Sequence, residues 1–208
     1  MVVDKSKCKI CRRAGTKLFL RGDRCLSAKC AMVKRPYSPG VKAKKVRKNV
    51  SEYGKELAEK QKLKNWYYLS EKQFGNYVKD ILQKRGKVED TSLALIKKLE
   101  HRLDNVIFRI GFASSRASAR QMVTHGHFWV NGKRVDIPSY ETRKGDKVSI
   151  RPGSVKKAIF KENIKEDEVP SWIKYDSVKK EAEIIGDAFL EESAIPAEIA
   201  SIFEFYSR

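Results

Sequence analysis

A chain of 208 residues with 41% hydrophobic residues has room for one large domain or two small ones and can build packed cores. It holds no apolar run long enough to cross a bilayer, which excludes a helical membrane-spanning protein. The formal charge of +19 excludes a chain that is indifferent to polyanions, and it is segregated: residues 1–160 hold 39 Lys or Arg against 14 Asp or Glu, residues 161–208 only 6 against 12. A coat that merely keeps a protein soluble mixes its signs; this gradient predicts a basic surface for a polyanion, nucleic acid or an anionic membrane surface, with an acidic C-terminal part packed away from the anion.

The chain opens on "CKICRRAGTKLFLRGDRCLSAKC", residues 8–30, which contains all four cysteines. Cys8-x2-Cys11, thirteen intervening residues and Cys25-x4-Cys30 give two thiol pairs joined by a loop, the arrangement of a structural zinc site. Two disulfides and four free thiols are the rival readings. Disulfides need an oxidising compartment, and "MVVDKSKCKI" has no apolar stretch of signal-peptide kind. Lys7, Lys9, Arg12, Arg13, Arg24 and Lys29 surround the thiols and are expected to lower their pKa values toward the thiolates a metal takes. Four thiolates fill a tetrahedron, so the expected Zn2+ is structural, with no open position for catalysis.

"KRPYSPGVKAKKVRKN", residues 34–49, combines two prolines, a glycine and seven basic residues and reads as an extended basic connector. Helices are predicted from Ser51, with Tyr53, Leu57 and Ala58 as an apolar face, and from the Ser70–Gln73 capping pair, with Phe74, Tyr77, Val78, Ile81 and Leu82 as a stripe and Gly86 as the stop. "SLALIKKLEHRLDNVIFRIG" continues as a helix with Leu95, Ile96, Leu99, Leu103, Val106, Ile107 and Ile110 on one face and Gly111 as its end. These stripes are core, not binding platforms. Ser114 or Ser115 then caps a short helix carrying Arg116 and Arg120 and stopping at Gly126. "FWVNGKRV" is a β-hairpin around Asn131-Gly132, and "RKGD" turns into the strand "KVSI". The helix N-terminus, Arg116, Arg120, Lys133 and Arg134 are expected to converge on phosphate. Beyond residue 165 "EVPSWIKYDS" reads as a loop anchored by Trp172, and "PAEIASIFEFYSR" as a terminal strand or helix end docking on a core.

Little here reads as catalytic. His125-Gly-His127 at a helix stop reads as a polar loop facing phosphate or water rather than as a metal or acid–base pair, and Asp104 as a structural partner of Arg102 or a backbone cap. No Walker loop, Rossmann glycine pattern or nucleophile elbow occurs.

The stretches "KRPYSPG", "SEYGKELAEKQKLK", "SEKQFGNY", "RLDNVIFRIGF", "SRASARQMVTHGHFWVNGKRVDIPSY" and "FEFYSR", together with the four-cysteine start, resemble the bacterial small-subunit ribosomal protein four family in its zinc-binding form along nearly the whole chain. The resemblance implies an α+β protein: a zinc-bound N-terminal module with the basic connector (1–50), a helical body (51–98), a small α/β RNA-binding module with a β-hairpin (99–165), and a C-terminal segment (166–208) that packs back on the helical body. It implies no catalysis, a place on the cytoplasmic ribosome rather than a membrane, and direct, early binding of 16S rRNA at a junction of helices, nucleating assembly of the subunit body. It further implies neighbouring small-subunit proteins, protein five above all, and a position by the channel through which mRNA enters. The RNA-binding residues expected on this reading are Arg12, Arg13, Arg21, Arg24, Lys34, Arg35, Lys42, Lys44, Lys45, Arg47, Arg102, Arg116, Arg120, His125, Lys133 and Arg134. An RNA-modifying or tRNA-charging enzyme sharing the same module is the alternative. A zinc-finger DNA regulator is less apt, because no finger helix with a recognition pattern follows the cysteines.

Overall fold

The chain divides into two units: among the described residues, six helices lie in the first, residues 1–92 with 195–208, and a five-stranded sheet with three helices makes up the second, residues 93–194. The computed structural model describes residues 7–40, 50–84, 90–154, 169–189 and 191–207.

The first unit begins with three short helices, α1 (Lys7–Ala14), α2 (Asp23–Leu26) and α3 (Ala31–Lys34), folded over Leu18 and Leu20. The longer α4 (Glu52–Trp66) is capped by the Ser51 hydroxyl, which accepts from the Gly54 amide. Its buried face differs from the one expected. Tyr53 and Ala58 are exposed, whereas Glu56, Lys60, Leu63 and Trp66 are buried. The tail explains the difference: α9 (Ile199–Ser207) lies against α4 and sets the Phe205 ring 4.5 Å from the Lys60 ammonium. A lysine stem covered by aromatic rings reads as polar in sequence but packs as core. Helix α5 (Glu71–Gln83) follows its pattern, with Ser70 accepting from the Gln73 amide and Phe74, Val78 and Ile81 buried. Gly86 lies outside the described residues.

In the second unit the expected long helix is two. Helix α6 (Thr91–Glu100) ends, Arg102 turns extended (φ −68°, ψ 136°), and α7 (Leu103–Ile110) starts again. The loop 138–142 supplies the reason. Leu103 and Asp104 amides donate to the Tyr140 and Pro138 carbonyls (2.8 and 3.2 Å), and the Thr142 amide and hydroxyl both donate to the His101 carbonyl (2.8 and 2.9 Å). Backbone groups that would have continued the helix are satisfied across the fold instead. Gly111 ends α7 in the left-handed region (φ 94°), and α8 (Arg116–Thr124) is capped by Ser115.

The sheet runs β2-β1-β3-β5-β4, antiparallel throughout: β1 (Phe128–Val130), β2 (Lys133–Arg134), β3 (Lys147–Ile150), β4 (Ile173–Asp176) and β5 (Glu181–Ile184). Val130 pairs with Lys133, and Asn131 and Gly132 have φ of 50° and 75°, so the two-residue type I′ turn forms as its residues dictate. Helices α7 and α8 and the strands share one core, centred on Ile107, Phe112, Phe128, Val148 and Ile184. Trp172 is buried as expected, but the stretch after it is strand β4, not loop. Consequently residues 169–194 belong to this unit, and only 195–208 return to the helical body, a later boundary than the expected 166. Leu93–Glu100 likewise belong here, whereas residues 1–50 and 51–92 form one unit, not two.

Candidate RNA interface and thiol cluster

In the first unit, Cys8 and Cys11 sit one turn apart on α1, Cys25 lies in α2, and Cys30 immediately precedes α3. All four thiols are free, and together with Leu20, Arg21 and Met32 they line one cavity of about 10 Å3. The Arg21 amide donates to Cys25 Sγ at 3.4 Å. Burial pushes the Cys11 thiol up, the Leu18 amide pulls it back, and the other three thiols raise it further; burial also raises Cys25, helped by Cys30 and Cys8 and opposed by the amide and the charge of Arg21. The basic setting predicts the opposite direction. For Cys11 and Cys25 burial and mutual repulsion win. Among the described residues, no group of three or more His, Cys, Asp or Glu side chains stands in metal-ligand geometry.

Around this cluster Arg13, Arg21, Arg24, Lys34 and Arg35 are exposed. Arg12 is half-buried, its Nε donating to the Tyr37 carbonyl (2.9 Å). Lys42, Lys44, Lys45 and Arg47 lie outside the described residues.

In the second unit, two expected RNA contacts are structural instead. Arg102 is 1% exposed and forks onto Asp104 (Nε–Oδ1 3.1 Å, Nη2–Oδ2 2.7 Å), which confirms Asp104 as its partner and removes it from the surface. Arg116 is buried, donates to Asn105 Oδ1 at 2.7 Å and stacks 4.4 Å from the Phe108 ring centre. Asn105 in turn donates to the fully buried Glu100, which also accepts from Arg109 Nε and Nη2 (2.8 and 2.7 Å). The "RLDN" segment therefore serves to lock α6, α7 and α8 together. Arg120 is half-buried, 3.9 Å from Asp104. His127 is buried, with Nδ1 3.0 Å from the Ser154 hydroxyl, whereas His125 is exposed.

What remains outside is a rim. His125 caps α8, and Arg134 folds its guanidinium over Gly126, where an added Cβ would meet Arg134 Nε at 2.5 Å. Gly126, at φ 68°, thus permits both the helix stop and the arginine's approach. Asn131 ties the hairpin tip to the neighbouring turn, its Nδ2 donating to Asp146 (2.8 Å) and its Oδ1 accepting from the Lys147 amide (2.9 Å). Exposed Lys133 and Arg134 of one turn are thereby set beside exposed Arg143, Lys144 and Lys147 of the other. These last three lie outside the expected set. Their spacing around a Gly-Asp turn could have announced them, since a tight turn puts its flanking side chains into water.

The family descriptions "Ribosomal protein S4/S9 N-terminal domain" and "S4 domain" match residues 3–100 and 101–148. The chain is 42% identical to "Small ribosomal subunit protein uS4" of Thermus thermophilus over 204 residues, covering 97% of this chain and 96% of that protein. It is 45% identical to the protein of the same name from Thermotoga maritima over 207 residues, with the same coverage. The chain belongs to the uS4 family. The two domain matches meet at residues 100 and 101, the point where α6 gives way to the extended Arg102. Strands β4 and β5 complete the sheet beyond the uS4 S4-domain match.

Proposed function

We propose that this chain is a structural constituent of the small ribosomal subunit that binds 16S rRNA directly, nucleates assembly of the subunit body and carries out no reaction. The observation that carries the reading is similarity to uS4 proteins over 97% of the chain and 96% of the relative, so nearly all of these 208 residues are matched by uS4 rather than by a modifying or charging enzyme that shares the module. RNA helices hide their base edges in a deep groove, so a protein of this kind selects shape and junction geometry through backbone contacts. The rim of His125, Lys133, Arg134, Arg143, Lys144 and Lys147 and the exposed cations around the thiols suit that task.

Structural Zn2+ held by Cys8, Cys11, Cys25 and Cys30 belongs to the same reading. Four buried or half-buried thiols around one cavity, with the Arg21 amide aimed at sulfur, fit a cation that would neutralise their repulsion. The ion would supply charge and cross-linking, and the chain's part is to hold the sulfurs together and dry. Contact with protein five, and of the 41–49 segment with incoming mRNA, extends the proposal.

Small subunits purified through a high-salt wash should retain the chain, and the isolated chain should bind small-subunit rRNA with a steep salt dependence. Replacing Lys133 and Arg134 by alanine should flatten the slope of log K against log salt by about 0.7 to 0.9 for each phosphate no longer neutralised. Washed subunits without the chain, or equal affinity for duplex DNA, would overturn the proposal.

A further inference from the structure

At the root of the basic connector the fold holds an aromatic ring out toward water. Tyr37 lies in "KRPYSP" and is 43% exposed, although a tyrosine gains most when its ring is covered. The ring is nonetheless fixed. Arg12, on α1, places its guanidinium 4.9 Å from the ring centre while its Nε donates to the Tyr37 carbonyl at 2.9 Å. Pro36 and Pro39 restrict the backbone on either side, and Lys34, Arg35 and Arg13 stand exposed nearby in sequence or on α1. One side chain thus anchors the backbone and backs the ring, and the exposed remainder of the ring has no apolar partner of its own among the described ring contacts.

We propose that Tyr37, backed by Arg12, is a stacking platform for one unpaired base of the bound RNA. Proteins read unpaired nucleotides by stacking them on aromatic side chains and guanidinium planes. A cation against one face draws electron density from the ring, which favours an electron-rich purine on the exposed side. The two prolines and the Arg12 hydrogen bond order the ring before RNA arrives, so little freedom is lost on binding. A second protein laying an apolar side chain on Tyr37 is the competing occupant.

The inference rests on the rRNA-binding reading, and its test separates the two. Binding of the full chain to small-subunit rRNA is measured at several salt concentrations for wild type, Tyr37→Phe and Tyr37→Leu, and wild-type complexes and assembled subunits are cross-linked with ultraviolet light and digested. The phenylalanine variant should bind within about twofold of wild type and the leucine variant roughly tenfold more weakly. The salt slope should be unchanged, because a stacked base carries none of the charge that counterions neutralise. A nucleotide should be recovered on the peptide carrying Tyr37. Equal binding by Tyr37→Leu, a flattened slope, or a Tyr37 cross-link to protein instead of RNA overturns this inference while leaving the rRNA reading intact; a wild-type chain that ignores rRNA overturns both. Should Tyr37→Leu disturb α1, the phenylalanine variant and the wild-type cross-link decide the matter by themselves.

Discussion

Fully buried Glu100, in the second unit, receives two arginine nitrogens and an asparagine amide, and buried Asp104 receives a forked arginine. In the first unit, buried Cys11 and Cys25 have a backbone amide each and, for Cys25, the Arg21 charge in their favour, against repulsion from the neighbouring thiols. In the second unit these buried carboxylates are matched by side chains of the same unit, whereas in the first the four thiols gather around one cavity, where the proposed Zn2+ would offset their repulsion. On the zinc proposal, the N-terminal knob would depend on the ion for its shape, whereas the S4-domain unit would hold its own.

The largest effect that can break this contrast is metal removal. The zinc site proposed for the four thiols would contribute on the order of 10 kcal/mol. Chelation, or Cys25→Ser, should therefore strip hydrogen-exchange protection from α1–α3 and leave the sheet β2-β1-β3-β5-β4 protected. Equal loss in both units, or unchanged protection in α1–α3, would refute the contrast. Next in size, Asp104→Ala leaves Arg102 charged and buried and should cost about 3–5 kcal/mol in denaturant unfolding of the second unit. Replacing both partners by apolar residues of similar volume should recover most of that loss.

A smaller effect is set by pH. His101 is buried against Trp172, ring centres 5.1 Å apart, with Nδ1 on the Thr142 carbonyl and Nε2 3.6 Å from Asp187. Burial depresses its pKa. Asp187, Thr142 and Glu141 push it up and Lys97 pushes it down, but Asp187 is more than half exposed, so water screens its charge. With the folded pKa below 6.5, the unfolded chain takes up the proton first as pH falls, so the second unit should lose stability below pH 6.5, by at most about 1.4 kcal/mol per pH unit. His101→Gln should flatten that slope in urea titrations at stepped pH. The smallest effect lies in the first unit. Burial opposes ionisation of Glu71, but the Lys60 and Lys64 ammonium groups outweigh it and hold the carboxyl at about 2. The pairing therefore contributes above pH 4.5 and fades toward pH 2. Because Glu71 is half exposed, Glu71→Gln should cost no more than about 1 kcal/mol at neutral pH, seen as earlier fraying of α9.

Much of this was legible in the residues. Ser51, Ser70 and Ser115 cap where capping chemistry puts them, and Asn131-Gly132 turns as its φ preference requires. Sequence reasoning fails where a distant segment decides the outcome. Periodicity carries straight through "LEHRLDN", and only the 138–142 loop, competing for its amides, breaks it. Lys60 reads as a solvated cation until Phe205 covers it. Arg102 and Arg116 read as ligands for phosphate because composition counts charge without saying which charges are already matched by Asp104 and Asn105. Strands β4 and β5 show an alternating pattern, "IKYD" and "EAEI", but each is only four residues long and gains its identity from the sheet it joins.

The second unit is spliced into the first: the path leaves the helical body after Ser92 and comes back at Ile195. During synthesis, α4 and α5 must therefore wait, with their α9-facing side uncovered, until more than a hundred further residues have been made. The sheet-bearing lobe, whose partners are contiguous, can mature in the meantime. A chain stopped before Ile195 would carry a finished S4-type lobe on a helical body still lacking α9.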